Sequence, residues 1–259
     1  NGLDIFTTVG DIGTAEWVEK LKPSCWKISS GLLTHIPMVR HLASLGRPLL
    51  ISTGMANVDD IDLALETAEL AGNKNISLFQ CTSLYPAPLD SLNLSTINWL
   101  KERYGYDVGF SDHSLGSDAA FLSVGAGATL LEKHFSLDPS QPGFDHKISL
   151  NIAGFKEMVE RVRAAEKMMG TMHKEVSKAI SNTRMKYLRS IVATRLILAG
   201  QRFSCENIGI KRTLPGDLGL APKYFESIMG SIATIDIRVN QSIRKTDFKD
   251  GQDLIMEVL

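Results

Sequence analysis

The sequence predicts an α/β fold built on a parallel sheet, and three features of the sequence point to it. Short apolar runs recur as candidate strands, amphipathic helix patterns lie between most of them, and small or polar residues follow each run. This combination is typical of a (β/α)8 barrel, which carries its active site at the carboxyl ends of the strands. A doubly wound sheet is the alternative, although no GxGxxG motif follows the first run.

The predicted elements alternate along the first 170 residues. The strands are residues 4–8, 25–30, 48–53, 76–82, 108–113 and 130–135, and the helices are residues 14–21, 36–45, 58–71, 92–104, 118–127 and 153–170. A closed barrel needs eight strands. If the barrel prediction is right, the first two βα units, on the order of 60–90 residues, are absent from this chain.

A second, smaller domain is predicted near the carboxyl end of the sequence. Residues 171–188 are polar and mixed in character, as expected for a linker. Beyond them the candidate strands are short, at residues 190–193, 208–211, 232–233 and 241–243, with turn signals between them. We therefore predict a partial barrel domain at residues 1–170, a linker at 171–188 and a small β-rich domain at 189–259.

Composition excludes several classes of protein. The 259 residues are 44% hydrophobic and 22% charged, with a formal net charge of −1, which argues against a disordered or fibrous chain and against binding to nucleic acid or an anionic membrane. The longest uncharged apolar stretch, residues 119–131, is too short to cross a bilayer. The cysteines are three in number and form no CxxC pair, so we predict a reducing, cytoplasmic location.

Two histidines lie at the ends of predicted strands. Because side chains alternate along a strand, His113 shares a face with Ser111, and His134 shares a face with Glu132. In a barrel these faces point inward at the catalytic end, where two imidazoles suit a divalent metal completed by carboxylate and water. Two separate histidines with local hydrogen bonds fit the same spacing.

A lysine lies inside the second apolar run. Burying Lys27 is costly unless its ammonium meets an anion, so an inward Lys27 suits a phosphate or a carboxylate. A lysine facing the surface is the alternative. Hydroxyl residues at the other strand ends suit a phosphate ester, although serine and threonine also occur there for turn chemistry. These hydroxyl residues are Thr7, Thr8, Ser29, Ser30, Ser52, Thr53, Thr82, Ser83 and Ser111.

A charged loop, residues 142–147, follows the last predicted strand. Its Asp145 suits a sugar hydroxyl or a metal-bound water, and a plain solvated loop fits the sequence as well.

Four motifs in a fixed order carry a resemblance to a known family. They are FQCTSLYPAP at residues 79–88, GFSDHSLG at 109–116, LEKHFSLD at 131–138 and GFDHK at 143–147. The sequence resembles the sialic acid synthase family, which comprises N-acetylneuraminate synthase and its legionaminate and pseudaminate relatives. The segment from Arg189 to Arg212 is similar to the family's C-terminal domain, which itself resembles type III antifreeze protein.

The resemblance implies a (β/α)8 barrel followed by the antifreeze-like domain. It implies a transferase of the N-acetylneuraminate synthase type, which condenses phosphoenolpyruvate with an N-acetylated hexosamine to give a nine-carbon 2-keto acid and phosphate. It also implies a homodimer in which the small domain of one chain covers the barrel mouth of the other. Two alternatives stay open: a sugar-binding protein without catalysis, and a barrel synthase of 3-deoxy sugar acids, against which the appended domain argues.

Residue roles follow from the resemblance position by position. His113 and His134 match ligands of Mn²⁺ or Mg²⁺, and Glu132 matches a catalytic acid, base or cation stabiliser near the reacting carbons. Tyr85 and Asp145 match sugar-binding positions, and Arg212 matches an arginine that binds the acetamido group in the partner's barrel. The residues that match the phosphoenolpyruvate pocket are Thr8, Lys27, Ser30, Ser52 and Ser111. This sequence departs from the family at Ser83, where some members carry asparagine, and in lacking the family's first two strands.

Overall fold

The structure is a computed structural model that describes residues 3–214, 216–249 and 251. The chain divides into two units, Asn1–Thr171 and Met172–Leu259. The outermost residues of the two predicted domains, 1–2 and 252–259, lie outside the described residues.

The first unit contains a parallel sheet. Its strands are β1 (Trp26–Ile28), β2 (Leu49–Ser52), β3 (Ile76–Cys81), β4 (Asp107–Asp112) and β5 (Leu131–Lys133). They lie in the spatial order β1-β2-β3-β4-β5, and each neighbouring pair is parallel. The α/β class with a parallel sheet is therefore confirmed. Because neighbours in the sheet are also neighbours in the chain, these strands lack the reversal of order of a doubly wound sheet; closure into a full barrel stays a prediction.

One helix precedes β1 and one follows each strand, at positions that local sequence signals explain. They are α1 (Ile12–Glu19), α2 (Ile36–Ser44), α3 (Val58–Leu70), α4 (Thr96–Tyr104), α5 (Asp118–Gly125) and α6 (Ile152–Met169). The N-caps of α1, α3 and α6 are Asp11, Asn57 and Asn151, each of which accepts a hydrogen bond from a backbone N–H of the first turn. Helix α4 ends at Gly105, which has a φ of 70° that suits glycine.

The two faces of the sheet have different chemistry. Trp26, Ile51, Leu78 and Phe110 are fully buried in the main apolar core, where each contributes roughly 1.5–3 kcal/mol of burial free energy. Strand alternation puts the residues between them on the other face. That other face carries Lys27, Ser52, Cys81, Ser111 and Glu132. The same alternation that builds the core therefore collects the polar groups of the site.

The predicted strand at residues 4–8 is wrong. Only Thr8 pairs with the sheet, through an isolated parallel bridge to Lys27. Leu3 and Ile5 are 83% and 86% exposed. An apolar run becomes a strand only when a neighbour buries its side chains and pairs its backbone groups. Here β1 pairs with a single residue of the run.

The second unit has its own small core. Strands β6 (Arg189–Ala193) and β7 (Ile208–Arg212) are antiparallel, and helix α7 (Lys178–Tyr187) lies within the segment predicted as a linker. The two short predicted strands at 232–233 and 241–243 reduce to single bridges, such as Val192 with Ser242. The buried core residues include Ile191, Phe203, Ile228, Ile237 and Ile243.

Two further findings concern membrane-spanning helices and the cysteines. Within the described residues no helix has both the length and the apolar character that crossing a membrane requires. Cys25 and Cys81 are buried free thiols, and Cys205 is an exposed one.

Candidate active site

A cavity of about 510 Å³ lies at the carboxyl ends of the parallel strands. Its walls include nine of the eleven residues to which the resemblance assigns a role: Thr8, Lys27, Ser30, Ser52, Tyr85, Ser111, His113, Glu132 and His134. Asp145 lies beside the cavity, and Arg212 belongs to the second unit. Five strands thus supply one polar pocket, because parallel strands present their carboxyl ends at the same edge.

A buried cation forms the centre of this pocket. Lys27 is 5% exposed, and its Nζ donates to Ser52 Oγ at 2.6 Å and lies 3.2 Å from Glu132 Oε2. The ring of Phe79 lies 5.3 Å from the same Nζ, measured to its centroid. The alternative of a surface-facing Lys27 is therefore wrong, since β1 directs this side chain to the inner face.

Glu132 connects the lysine to strand β4. Its Oε1 accepts a hydrogen bond of 2.7 Å from Ser111 Oγ, its register partner across the β4–β5 pair. The Glu132 side chain is 39% exposed, so one part of the carboxylate meets the ammonium while another part faces the open cavity. A carboxylate in this position is able to exchange protons with a ligand in the cavity.

The two histidines come together at the mouth of the cavity. Their ring centroids are 5.3 Å apart. His113 Nδ1 donates to the backbone carbonyl of Thr82 at 2.8 Å, which fixes the ring and leaves Nε2 for another partner. Among the described residues, no three or more His, Cys, Asp or Glu side chains are grouped so as to hold a metal ion.

The pKa values of the two imidazoles shift in opposite directions. Burial lowers the pKa of His113, but the hydrogen bonds to Cys81 and Thr82 outweigh it, so the pKa of His113 lies above its ordinary value. Burial also lowers the pKa of His134, and the nearby charge of Asp145 does not fully offset it, so that pKa lies below the ordinary value. The two imidazoles therefore differ in their pKa values because their surroundings in the pocket differ.

An aromatic ring and a carboxylate flank the histidines. The Tyr85 ring packs on His113 with a centroid distance of 4.2 Å and meets the edge of His134 at 6.0 Å. Asp145 Oδ2 lies 3.8 Å from His134 Nδ1, and the Asp145 side chain is 64% exposed. An aromatic face and a solvated carboxylate at a pocket rim suit a polar ligand such as a sugar.

Arg212 has a separate setting in the second unit. It ends β7, its side chain is exposed, and its guanidinium lies 5.0 Å from the centroid of the Tyr187 ring.

Sequence reasoning missed four residues of the cavity wall: Gly31, Met55, Cys81 and Lys133. The alternation of β3 gives a usable signal for Cys81, because it lies two residues beyond Phe79 on the inner face. Cys81 Sγ lies 3.7 Å from both Ser30 Oγ and His113 Nδ1. Met55 lies in the loop after β2, and a loop has no regular alternation of side chains from which its direction could be predicted.

This combination of sheet and site defines a class of α/β protein that binds small anionic or polar ligands at the carboxyl ends of its strands. The chain belongs to the NeuB family, whose profile matches residues 1–174. It is 35% identical to the N,N'-diacetyllegionaminic acid synthase of Campylobacter jejuni over 241 residues, which are 92% of this chain and 71% of that protein.

Two further relatives agree with this family. The pseudaminic acid synthase of Campylobacter jejuni is 33% identical over 234 residues, which are 90% of this chain and 67% of that protein. The crystal structure of the spore coat polysaccharide biosynthesis protein SpsE of Bacillus subtilis is similar with a TM-score of 0.63 and 33% identity, covering 95% of this chain and 73% of that one.

Proposed function

We propose that this protein is a sugar-acid synthase that condenses phosphoenolpyruvate with an N-acetylated hexosamine, such as N-acetylmannosamine, to give a nine-carbon 2-keto acid and phosphate. The observation that carries the proposal is the buried Lys27 ammonium, which shares one cavity with hydroxyls, a carboxylate and two imidazoles. Membership of the NeuB family and relatives named as legionaminic and pseudaminic acid synthases support it.

The first substrate binds at the inner end of the cavity in this proposal. The charge of Lys27 and the hydroxyls around it match the carboxylate and phosphate of phosphoenolpyruvate, because charged acceptors form the stronger hydrogen bonds. Glu132 lies 3.2 Å from the Lys27 ammonium, so the substrate anion takes over part of this pairing. The proposed binding groups are Thr8, Lys27, Ser30, Ser52 and Ser111.

We propose that His113 and His134 hold a divalent metal, Mn²⁺ or Mg²⁺. The pocket fits such an ion in one respect that can be checked: His113 donates its Nδ1–H to a backbone carbonyl, the arrangement that orients metal-ligating histidines through their other nitrogen. Two imidazoles supply two ligands, so water and substrate oxygens complete the shell. When bound, the ion supplies Lewis-acid polarisation of the aldehyde.

The proposed bond changes balance without a further reactant besides water. C3 of phosphoenolpyruvate forms a bond to the aldehyde carbon of the open-chain sugar, whose oxygen takes a proton and becomes a hydroxyl. Water adds to C2, and one of its protons balances the proton taken up by the aldehyde oxygen. The C2–O bond to phosphate then breaks, the C2 hydroxyl becomes the keto group, and its proton leaves with the phosphate. Glu132 is the proposed acid or base, or stabiliser of the cationic C2, since its carboxylate faces the cavity.

The sugar is assigned to the outer end of the cavity. Tyr85 and Asp145 border the two imidazoles there and provide an aromatic face and a hydroxyl acceptor. We further propose that the sheet is part of a (β/α)8 barrel, that the second unit is an antifreeze-like domain, and that Arg212 binds the acetamido group in the barrel of a partner subunit within a homodimer.

Phosphate release tests the proposal. The protein is mixed with phosphoenolpyruvate, Mn²⁺ and, in turn, N-acetylmannosamine, its 6-phosphate and a diacetamido sugar, and the product is identified by mass spectrometry. We expect release with one of the sugars, its loss in His113→Gln, and no change in His173→Gln, which removes an exposed histidine outside the cavity. Sugar binding without phosphate release would favour the non-catalytic alternative and overturn the proposal.

A further inference from the structure

Behind the histidines lies an ion pair that is almost completely shielded from solvent. Lys133 Nζ lies 3.0 Å from Asp112 Oδ2, and the two side chains are 1% and 0% exposed. Alternation puts both side chains on the face opposite Ser111 and Glu132, the face that also buries Val108 and Phe110. Lys133 also borders the cavity, but its side chain is 1% exposed, and the chemistry proposed for the cavity uses neither charge.

All the polar partners of this pair lie in one short segment. Asp112 Oδ1 accepts hydrogen bonds from the backbone N–H of Ser114 at 2.8 Å and from its hydroxyl at 2.6 Å. Lys133 Nζ also donates to the backbone carbonyl of Ser114. Buried ions are tolerated only when paired and hydrogen-bonded in this way, and replacing such a pair by apolar residues often leaves stability unchanged. Stability alone therefore does not explain its presence.

The position of the pair relative to the cavity suggests its role. Asp112 and Lys133 are register partners across the β4–β5 pair, and each directly precedes one of the two histidines. The hydrogen bond from the Ser114 N–H to Asp112 Oδ1 closes a tight turn whose central residue is His113. Lys133 donates to the carbonyl at the end of the same turn. The pair thus ties together the two backbone segments from which the imidazoles project.

Apart from the tyrosine ring that packs on both imidazoles, at centroid distances of 4.2 and 6.0 Å, few contacts fix the imidazoles relative to each other. His113 is held through Thr82 and through its own carbonyl, which accepts from Ala87 N at 3.0 Å. Both of these partners belong to the loop after β3, not to β5. His134 has the exposed Asp145 as its charged neighbour at 3.8 Å.

We propose that Asp112 and Lys133 are positioning residues, which set the separation and orientation of His113 and His134 without touching a ligand themselves. The proposal rests on the function proposed above, in which the two imidazoles share a divalent metal. Groups that orient metal-binding histidines in this indirect way typically change metal affinity by about 10–100-fold when they are removed.

The test replaces the pair by apolar residues of similar size. The double variant Asp112→Leu/Lys133→Met leaves no lone buried charge, so we expect it to fold. Its melting temperature should fall, because the buried N–H, hydroxyl and carbonyl of Ser114 lose their partners. We expect its Mn²⁺ dissociation constant, measured by calorimetry on the full chain, to rise at least about tenfold. The matched control is Glu19→Gln/Arg47→Met, which removes the ion pair of 2.6 Å elsewhere in the same unit and should leave Mn²⁺ affinity unchanged.

A second measurement makes the result independent of metal and activity. The Cε1–H signals of the two imidazoles, assigned in NMR spectra with His113→Gln and His134→Gln, should move in the double variant and stay in place in the control. If the double variant fails to fold, Ser114→Ala removes one bond to Asp112 without changing a charge and should shift the same signals to a smaller extent.

The outcomes separate this proposal from the proposed function. A wild type that binds no Mn²⁺ and releases no phosphate overturns the function, and the NMR signals then decide on positioning alone. A folded double variant with wild-type Mn²⁺ affinity and unmoved imidazole signals overturns the positioning role. A lower melting temperature with both readouts unchanged overturns it too, because it reveals a purely structural pair.

Discussion

The Lys27 ammonium lies in a nearly closed position, where Ser52, Glu132 and the Phe79 ring surround it. The apolar neighbours Trp26 and Ile28, both buried, hold β1 in place and direct Lys27 to the opposite face. The position of the ammonium therefore depends on β1, which directs the side chain inward, and on the carboxylate of Glu132, which β5 supplies from the other edge of the sheet.

Removing this ammonium should weaken phosphoenolpyruvate binding. Charge-assisted hydrogen bonds contribute roughly 1.5–3 kcal/mol, so we expect Lys27→Met to raise the KM for phosphoenolpyruvate by about 10–100-fold. Steady-state phosphate release measures the change. Lys101→Met on the exposed surface of α4 is the control, and an equal effect in both variants would contradict the assigned role.

A phenol outside the site gives a prediction on pH. Burial, together with the 2.6 Å hydrogen bond to Glu69, raises the pKa of Tyr106 to about 12. The folded chain then holds a proton that the unfolded chain loses near pH 10, so this contribution to stability is present below about pH 10 and is lost as pH rises toward about 12.

Urea unfolding at about pH 9 and about pH 11 measures this effect. We expect Tyr106→Phe to lose less stability over this interval than the wild type does. The variant Glu69→Gln keeps the phenol but replaces the carboxylate that accepts its hydrogen bond, and it should also lose less stability than the wild type. Identical losses in all three proteins would refute the raised pKa.

Residue patterns predict the side chains that line the cavity better than they predict the buried ion pair on the other face of the sheet. The period of two places Ser111 with His113 and Glu132 with His134, and these residues do line one cavity. The Asp112–Lys133 pair escaped prediction because it depends on the register between two strands, and its partners are 21 positions apart along the chain. Local patterns carry no information on register.

At the scale of elements, the close approach of three strands depends on one residue without a side chain. An added Cβ at Gly109 on β4 would lie 2.6 Å from the Phe79 ring and 2.8 Å from Leu130 Cβ. Phe79 in turn lies against Lys27. The small residue thus allows β4 to pack beside β3 and β5 without displacing the wall of the cavity.

We expect Gly109→Ala to lower the free energy of unfolding by about 1–3 kcal/mol, the usual result of overpacking. Gly125→Ala is the matched control, because nothing lies within 4 Å of the added methyl group and the residue ends a helix. That control should be neutral or stabilising by up to about 1 kcal/mol. Urea denaturation of both variants decides, and equal stability would contradict the packing argument.

The limits of element prediction follow from pairing. The runs that became β2, β3 and β4 are flanked by strands on both sides, which bury and pair them. Residues 4–8 have a similar apolar pattern but only one paired residue, so they stay outside the sheet. In the second unit, 232–233 and 241–243 are too short to form more than single bridges, and only their long-range partners decide where those bridges form.

At the scale of the whole molecule, the proposed role of Arg212 requires a second copy of the chain. This role predicts complementation between two inactive variants, His113→Gln and Arg212→Ala. Half of the randomly mixed dimers would contain one intact site, so phosphate release should recover to about a quarter of the wild-type rate. Each variant alone is the control, and a mixture as inactive as its components would exclude action across subunits.

The different exposure of the cysteines has a practical consequence. Cys205 is accessible in the second unit, whereas Cys25 and Cys81 are enclosed in the first. A maleimide dye should therefore react at one place, away from the pocket thiol. Fluorescence transfer between separately dyed chains would then report their association directly, without engineering a new attachment point.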